Sequence, residues 1–149
     1  MDIIIRIADR HKDSAGICRL INDSLGYKDV TPDALAKRME RMDAAGGQHG
    51  YFTLVAEADG LVAGFVSVAQ GIAVEIEGDY FRIIALAVDE EHRRMGIGGR
   101  LLARVEEIAA ERGVWYFTLS SGFQRTDAHA FYERQGYEKR SFAFSKGTK

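Results

Sequence analysis

The sequence predicts an α/β fold of the α+β kind, a single domain over residues 1–149 built on a mixed, mostly antiparallel sheet flanked by about four helices. Three observations carry this. The apolar run Phe81 to Val88 leads into a glycine-rich turn and a helical pattern reaching Arg112, a strand–turn–helix unit. Two further apolar runs, Tyr51 to Ala58 and Leu61 to Val68, are joined by Asp59-Gly60, the signature of a two-residue hairpin. Helical patterns between the remaining apolar runs give the order β-α-α-β-β-β-α-β-α-β, with a βαβ unit in the middle.

Taken in order, Ile3 to Ile7 reads as the first strand. Residues 12–25 form a helix with Ile17, Leu20, Ile21 and Leu25 on one side, broken at Gly26-Tyr27-Lys28-Asp29. Thr31-Pro32-Asp33 starts the next helix, with Thr31 as N-cap and Pro32 in the first position. That helix turns Leu35, Met39 and Met42 inward and ends at Gly46-Gly47. After the hairpin, whose second strand extends toward Val74, residues 73–80 alternate apolar and acidic side chains before the run at 81–88. Gly113 stops the long helix, Val114 to Leu119 is a buried strand, and Thr126 or Asp127 caps a short helix through Gln135. Tyr137 to Lys146 alternates around Phe142 and Phe144 and reads as a final strand or hairpin.

Composition excludes several function classes. Charged residues make up 28% and apolar ones 46%, ordinary for a globular enzyme-sized domain. A net charge of −2 and no basic aromatic face argue against nucleic acid. The apolar runs are too short to span a bilayer, and Met1-Asp2-Ile3 leads into strand rather than a signal region, so a cytoplasmic protein without a membrane partner is expected. The one cysteine, Cys18, sits on an amphipathic helix as a core residue, with no histidine to activate it. His11, His49 and His92 have no metal-ligand spacing, His129 reads as exposed, and no metal is expected.

The chemistry is concentrated at 88–100. After the strand come Asp89-Glu90-Glu91, then Arg93-Arg94, then Gly96-Ile97-Gly98-Gly99 opening a helix with Ile97, Leu101, Val105 and Ile108 on one face. A helix's first turn has unpartnered N–H groups and the positive end of its dipole, and glycine lets an anion reach the backbone. Arg93, Arg94 and Arg100 add charge there, so a pyrophosphate is the natural guest. A P-loop requires Gly-Lys-Ser/Thr where this chain has Gly99-Arg100-Leu101. A dinucleotide fingerprint requires a third glycine where this chain has Leu101.

Arg93-x-x-Gly96-x-Gly98 behind an apolar strand resembles the acetyl-CoA motif of the GNAT superfamily of N-acetyltransferases, Arg/Gln-x-x-Gly-x-Gly/Ala. Ala128-x-x-Phe131-Tyr132 followed by Gly136-Tyr137 resembles the same family's later motif, and with the element order the resemblance covers nearly the whole chain. It implies an acyl-CoA N-acyltransferase using acetyl-CoA, with CoA as product, by direct attack of a primary amine in a ternary complex. It assigns the cofactor to Leu86, Ala87, Val88, Arg93, Arg94, Met95, Gly96, Ile97, Gly98, Gly99 and Arg100, and to Arg125, Ala128, Phe131 and Tyr132. At Arg125 many relatives carry asparagine, so a CoA hydrogen bond there is lost or replaced by a charge contact.

The implied catalytic groups are the Val88 N–H, polarising the acetyl carbonyl, and the Tyr132 phenol, protonating the departing thiolate. The amine must lose a proton, for which Glu75 and Glu77 are candidates; Arg82 stands where some relatives carry a glutamate base. Packing roles compete: Tyr132 also fits a core aromatic, and Glu75 and Glu77 the solvent face of a strand end. Tyr27, Asp29, Asp79 and Tyr80 are the acceptor-side residues, suited to a small cationic amine (aminoglycoside- or polyamine-like) or a peptide amine. The alternative is a non-catalytic acyl-CoA-binding sensor on the same fold. Homodimer formation through the C-terminal strands is a further expectation.

Overall fold

A computed structural model describes residues 2–46 and 50–149; Met1 and the sequence readings at Gly47 and His49 lie outside the described residues. The element order is β1 Ile3–Ile7, α1 Arg10–Leu25, α2 Pro32–Ala44, β2 Tyr51–Ala58, β3 Leu61–Ile72, β4 Asp79–Val88, α3 Ile97–Arg112, β5 Tyr116–Leu119 and α4 Thr126–Arg134, with one 3₁₀ turn at Glu90–His92. The five strands form one sheet in the order β1-β2-β3-β4-β5, with the first three neighbouring pairs antiparallel. The chain divides into two compact units, Met1–Thr118 and Leu119–Lys149.

Local chemistry sets the ends. Asp9 caps α1, accepting from His11 N at 2.8 Å and Lys12 N at 3.2 Å, so the helix starts two residues earlier than its apolar stripe suggests. Thr31 Oγ1 accepts from Ala34 N at 3.2 Å with Pro32 first in α2, as expected. That helix ends at Ala44, and Met42 is only half-buried. Asp59 and Gly60 both take positive φ, 51° and 80°, between the paired Ala58 and Leu61; this turn matches the twist of the two strands.

Each face of the sheet has its own core. Ile17, Cys18 and Leu20 of α1 and Leu35 and Met39 of α2 pack with Val55, Phe65 and Ala87. The opposite face carries α3, whose Ile97, Leu101, Leu102, Val105 and Ile108 are buried. Two bulges arrange this. Ala63 has no partner between the pairs Ala56↔Gly64 and Glu57↔Val62, and Ile84 has none between Val68↔Ile83 and Ser67↔Ala85. Because side chains alternate, the extra residue at Ile84 reverses the facing of β4. Phe81 and Ile83 face α3, whereas Ala85 and Ala87 pack against α1 and α2.

Several expectations are corrected. No strand follows Leu119 among the described residues, and Phe142 and Phe144 are 72% and 94% exposed. Alternation gives a strand only where another strand accepts its hydrogen bonds. β3 ends at Ile72, which pairs with Asp79, so residues 73–78 are the connecting turn and Glu75 and Glu77 are exposed on it. β5 begins at Tyr116, not Val114. Thr126 is the first helical residue of α4; the cap position is Arg125, without a side-chain cap bond. His129 is half-buried, with Nε2 at 2.8 Å from the Gly122 carbonyl.

Candidate active site

The site's first unit is the junction of β4, its loop and α3. Ala87 pairs with Phe65, Val88 with Gly64, and Asp89 N donates to Ala63 O at 2.7 Å, one residue beyond the strand. Hydrogen-bonding direction alternates along an antiparallel strand. Ala87 and Asp89 therefore direct their backbone groups to β3, and Leu86 and Val88 direct theirs to the opposite side. On that side, β5 meets β4 upstream: the Phe117 and Phe81 rings lie 6.0 Å apart, and β5 ends at Leu119.

Beyond Val88 the chain makes its 3₁₀ turn, Arg93 is extended at φ −66° and ψ 154°, and Arg94 takes φ 69°. A non-glycine residue held there costs about 1 kcal/mol, a local strain imposed by the loop. Gly96 follows at φ 75° as the cap of α3, so no side chain closes the first turn. The first backbone bond runs from Arg100 N to Gly96 O at 3.0 Å, and the first turn contains no acidic residue. The N–H groups of Ile97, Gly98 and Gly99 thus precede the ladder at the positive end of a 16-residue helix. A Cβ placed on Gly96 would meet nothing within 4 Å, leaving room for a ligand's approach.

Packing fixes that end. Ile97 is 1% exposed and lies over Gly64, where an added Cβ would come within 3.0 Å of Ile97 Cγ2. Arg93, Arg94 and Met95 are exposed. Arg100, assigned to the cofactor from sequence, donates from Nη2 to Ile3 O at 3.0 Å and so ties α3 to the outer edge of β1. Arg93 and Arg94 are the loop's outward cations.

The acidic candidates are not brought to this junction. Asp79 and Val88 end the same strand, and at roughly 3.3 Å per residue they are ~30 Å apart. Asp79 accepts from Gln70 Nε2 at 2.7 Å, and Gln70 accepts from Arg112 Nη1 at 2.8 Å. The Arg112 guanidinium lies over Phe52, 5.1 Å from the ring centre. Tyr80 pairs with Gly71, covering the space its side chain would fill, so Asp79 and Tyr80 serve the sheet. Tyr27 and Asp29 are exposed on the α1–α2 connection, anchored through Val30 O by Cys18 Sγ and Asn22 Nδ2, both at 2.9 Å.

Sequence reading passed over the α1 side of the junction. A cleft of about 470 Å³, within the size range of small-ligand sites, lies between α1, the β3 end of the hairpin and the loop. Arg19, Asp23, Ser24, Asp89, Glu90 and His92 are among its lining residues. Ser24 Oγ is 3.5 Å from Val88 O. The signal was present only as polar residues on one side of α1, with nothing local to pair them with Asp89.

In the second unit, α4 carries Ala128, Phe131 and Tyr132 behind the exposed Arg125. Tyr132 is half-buried with Phe131 and Tyr137 rings at 5.3 and 5.8 Å, and its carbonyl accepts from Tyr137 N at 3.0 Å. Burial pushes the phenol above its ordinary value, opposed in part by the charge of Arg125. It therefore stays protonated at neutral pH, as a proton donor must.

The family model described as Acetyltransferase (GNAT) family matches residues 17–137, spanning both units. The chain belongs to this family. It is a GNAT-type acyl-CoA N-acyltransferase. An aminoalkylphosphonate N-acetyltransferase of Salmonella typhimurium is 30% identical over 130 residues, covering 87% of this chain and 79% of the relative. A transcriptional regulator from Bacillus halodurans shares the fold with TM-score 0.86 at 21% identity, over 99% of this chain and all of the other. An aminoglycoside N-acetyltransferase solved in complex with CoA has TM-score 0.82 at 16% identity, over 99% and 95% of the two chains. Among the described residues, no helix is long and apolar enough to cross a membrane and no cluster of three or more potential metal ligands occurs.

Proposed function

We propose that residues 1–149 act as one acetyltransferase domain that moves the acetyl group of acetyl-CoA to a primary amine by direct attack in a ternary complex. The observation that carries this is the uncapped first turn of α3 beside Arg93 and Arg94, with open space at Gly96. It is built to receive a multiply charged anion, and this donor set fits the pyrophosphate of CoA. Bound acetyl-CoA supplies the activated thioester.

The chain's own groups do the rest. Backbone N–H groups from Arg94 to Gly99 hold the pyrophosphate, with Arg93 and Arg94 adding charge. The N–H groups of Leu86 and Val88, directed away from β3, hold the pantetheine and the acetyl carbonyl; fixed dipoles aimed where negative charge develops lower the barrier. Tyr132 holds the proton for the departing thiolate, since burial keeps the phenol in its neutral form. Arg125, Ala128 and Phe131 complete the cofactor side. A cytoplasmic setting belongs to this reading.

The acceptor is a small cationic amine, aminoglycoside- or polyamine-like, or a peptide amine. Carboxylates of Asp23, Glu90 and Glu91 line the cleft beside the loop that follows Val88 and favour a cation. The Salmonella relative's name adds aminoalkylphosphonates to the amines worth trying. Calorimetric titration with acetyl-CoA, with ATP as competitor, tests the cofactor; thiol release over an amine panel tests the reaction. Micromolar acetyl-CoA binding insensitive to ATP is expected. Absence of binding would remove the reading.

A further inference from the structure

We propose that Arg19 and Asp89 form a clamp that orients the cofactor loop, making both positioning residues for acetyl transfer; this rests on the acetyl-CoA reading above. Asp89 is the first residue beyond β4, and several interactions converge on it. Its N–H donates to Ala63 O at 2.7 Å, so the bulge residue of β3 carries the ladder one step past Val88. Its carboxylate lies 3.2 Å from His92 Nδ1 and 3.6 Å from Arg19 Nη1, and accepts weakly from Glu91 N at 3.5 Å. Arg19 Nη2 donates to Val62 O at 2.9 Å.

One guanidinium from α1 therefore bridges the start of β3 and the end of β4, where the loop departs. The planar fork of arginine suits this bridging, because it presents separate donors in fixed directions. The turn that Asp89 braces at Glu91 and His92 sets the exit direction of the chain. Arg93, Arg94 and Gly96 follow at once, the last two with positive φ. Releasing the brace pivots the segment that carries the anion-binding N–H groups.

The pair is half-exposed, with side-chain exposures of 42% for Arg19 and 19% for Asp89. A pair in that setting contributes little to global stability. Its effect on function is one of direction: a small rotation at the junction displaces donors whose hydrogen bonds tolerate little angular error. The clamp therefore acts on cofactor affinity rather than on fold or acid–base chemistry. It also links α1 to the loop, so the helix flanking the cleft and the cofactor loop move as one body.

The test is steady-state kinetics and acetyl-CoA calorimetry on Arg19→Ala, Asp89→Asn and the double variant, with melting temperatures. Arg10→Ala is the control on the same helix, breaking only the exposed ion pair with Asp43. Each clamp variant is expected to raise the acetyl-CoA KM and Kd about threefold to tenfold with kcat within about twofold. The double variant should be no worse than the more severe single variant, since either loss opens the same bridge. Unchanged KM and Kd in the clamp variants, fully multiplicative effects, or an equal rise in Arg10→Ala would each overturn the clamp while leaving the cofactor reading standing. A wild-type protein that takes up no acetyl-CoA overturns both.

Discussion

Gly16→Ala is the sharpest test of how α1 is seated, because two effects of opposite sign meet at one residue. Gly16 lies inside α1, where alanine favours the helix by about 1 kcal/mol. An alanine Cβ would lie 2.7 Å from Val62 Cβ and 2.9 Å from Val62 Cγ2. Carbon atoms rest at about 3.5–4.0 Å, so α1 or β3 must retreat by roughly 1 Å. The first obstructing atom is fixed to the backbone, so rotamer change cannot relieve it, and overpacking of this kind costs about 1–3 kcal/mol. With the cost near its upper end, the net loss is about 1–2 kcal/mol, lowering Tm by roughly 3–6 °C for a chain of this size. Thermal melting followed by circular dichroism measures it, and Gly16→Ala/Val62→Gly recovers part of the loss by removing the obstructing carbons. Retreat of α1 also draws Arg19 from Val62 O, so acetyl-CoA KM should rise in Gly16→Ala as in Arg19→Ala. A higher Tm for Gly16→Ala alone would refute the reasoning: helix propensity would then outweigh the close approach.

Tyr132→Phe should lower kcat by about 100-fold at pH 7 while leaving the acetyl-CoA Kd unchanged, because it removes only the proton donor. Gly96→Trp should abolish acetyl-CoA binding by calorimetry: the bulky residue occupies the open approach and is strained at φ 75°. Asp13 is buried and carries a pH prediction. Burial alone would raise its pKa, but Arg6 at 2.7 Å and the Asp9 N–H at 2.7 Å hold it below the ordinary carboxylate value. A depressed native pKa contributes stability that is complete above the unfolded value, about 4, and is lost as pH falls through the lower native one. Asp13→Asn should therefore cost about 2–3 kcal/mol by urea unfolding at pH 7 and flatten the loss of stability below about pH 4.

Where a residue's local chemistry determines its conformation, the fold was legible. Asp59-Gly60 announces a turn with two positive φ angles, Thr31-Pro32 a helix start and Gly113 a left-handed stop, and all three occur. The loop at 89–99 was legible because Arg-Arg and the glycines before an amphipathic stripe describe an anion site by composition alone. The β4 bulge was not: Ile83, Ile84, Ala85, Leu86, Ala87 and Val88 are all apolar, so a one-residue slip leaves no polar marker of the face change. Glu75 and Glu77 misled for the converse reason. Their alternation fits a strand, but the pair Ile72↔Asp79 closes the hairpin and leaves them in its turn.

The same distinction explains why the candidate site divides into a readable and an unreadable half. Anion binding at α3 depends on backbone groups of consecutive residues, so spacing within ten residues suffices to find it. The groups that orient this segment come from elsewhere in the chain: Ile3 O receives Arg100, Gly64 seats Ile97, and Arg19 reaches both Val62 and Asp89. None has a local pattern, because each contact exists only once β1, β3 and α1 are assembled. Even Arg100 illustrates this. Its position in the first turn of α3 marks it as a phosphate ligand, yet one guanidinium N–H meets the Ile3 carbonyl on the outer edge of β1. The parity of β1 supports this: Ala8 N donates inward to Thr53 O, so Ile3, Ile5 and Ile7 direct their backbone groups outward. Arg6 Nη1 likewise reaches Ile7 O at 3.3 Å. Two arginines thus occupy outward carbonyls of an exposed edge strand made almost wholly of isoleucine, a charged closure that opposes edge-to-edge association.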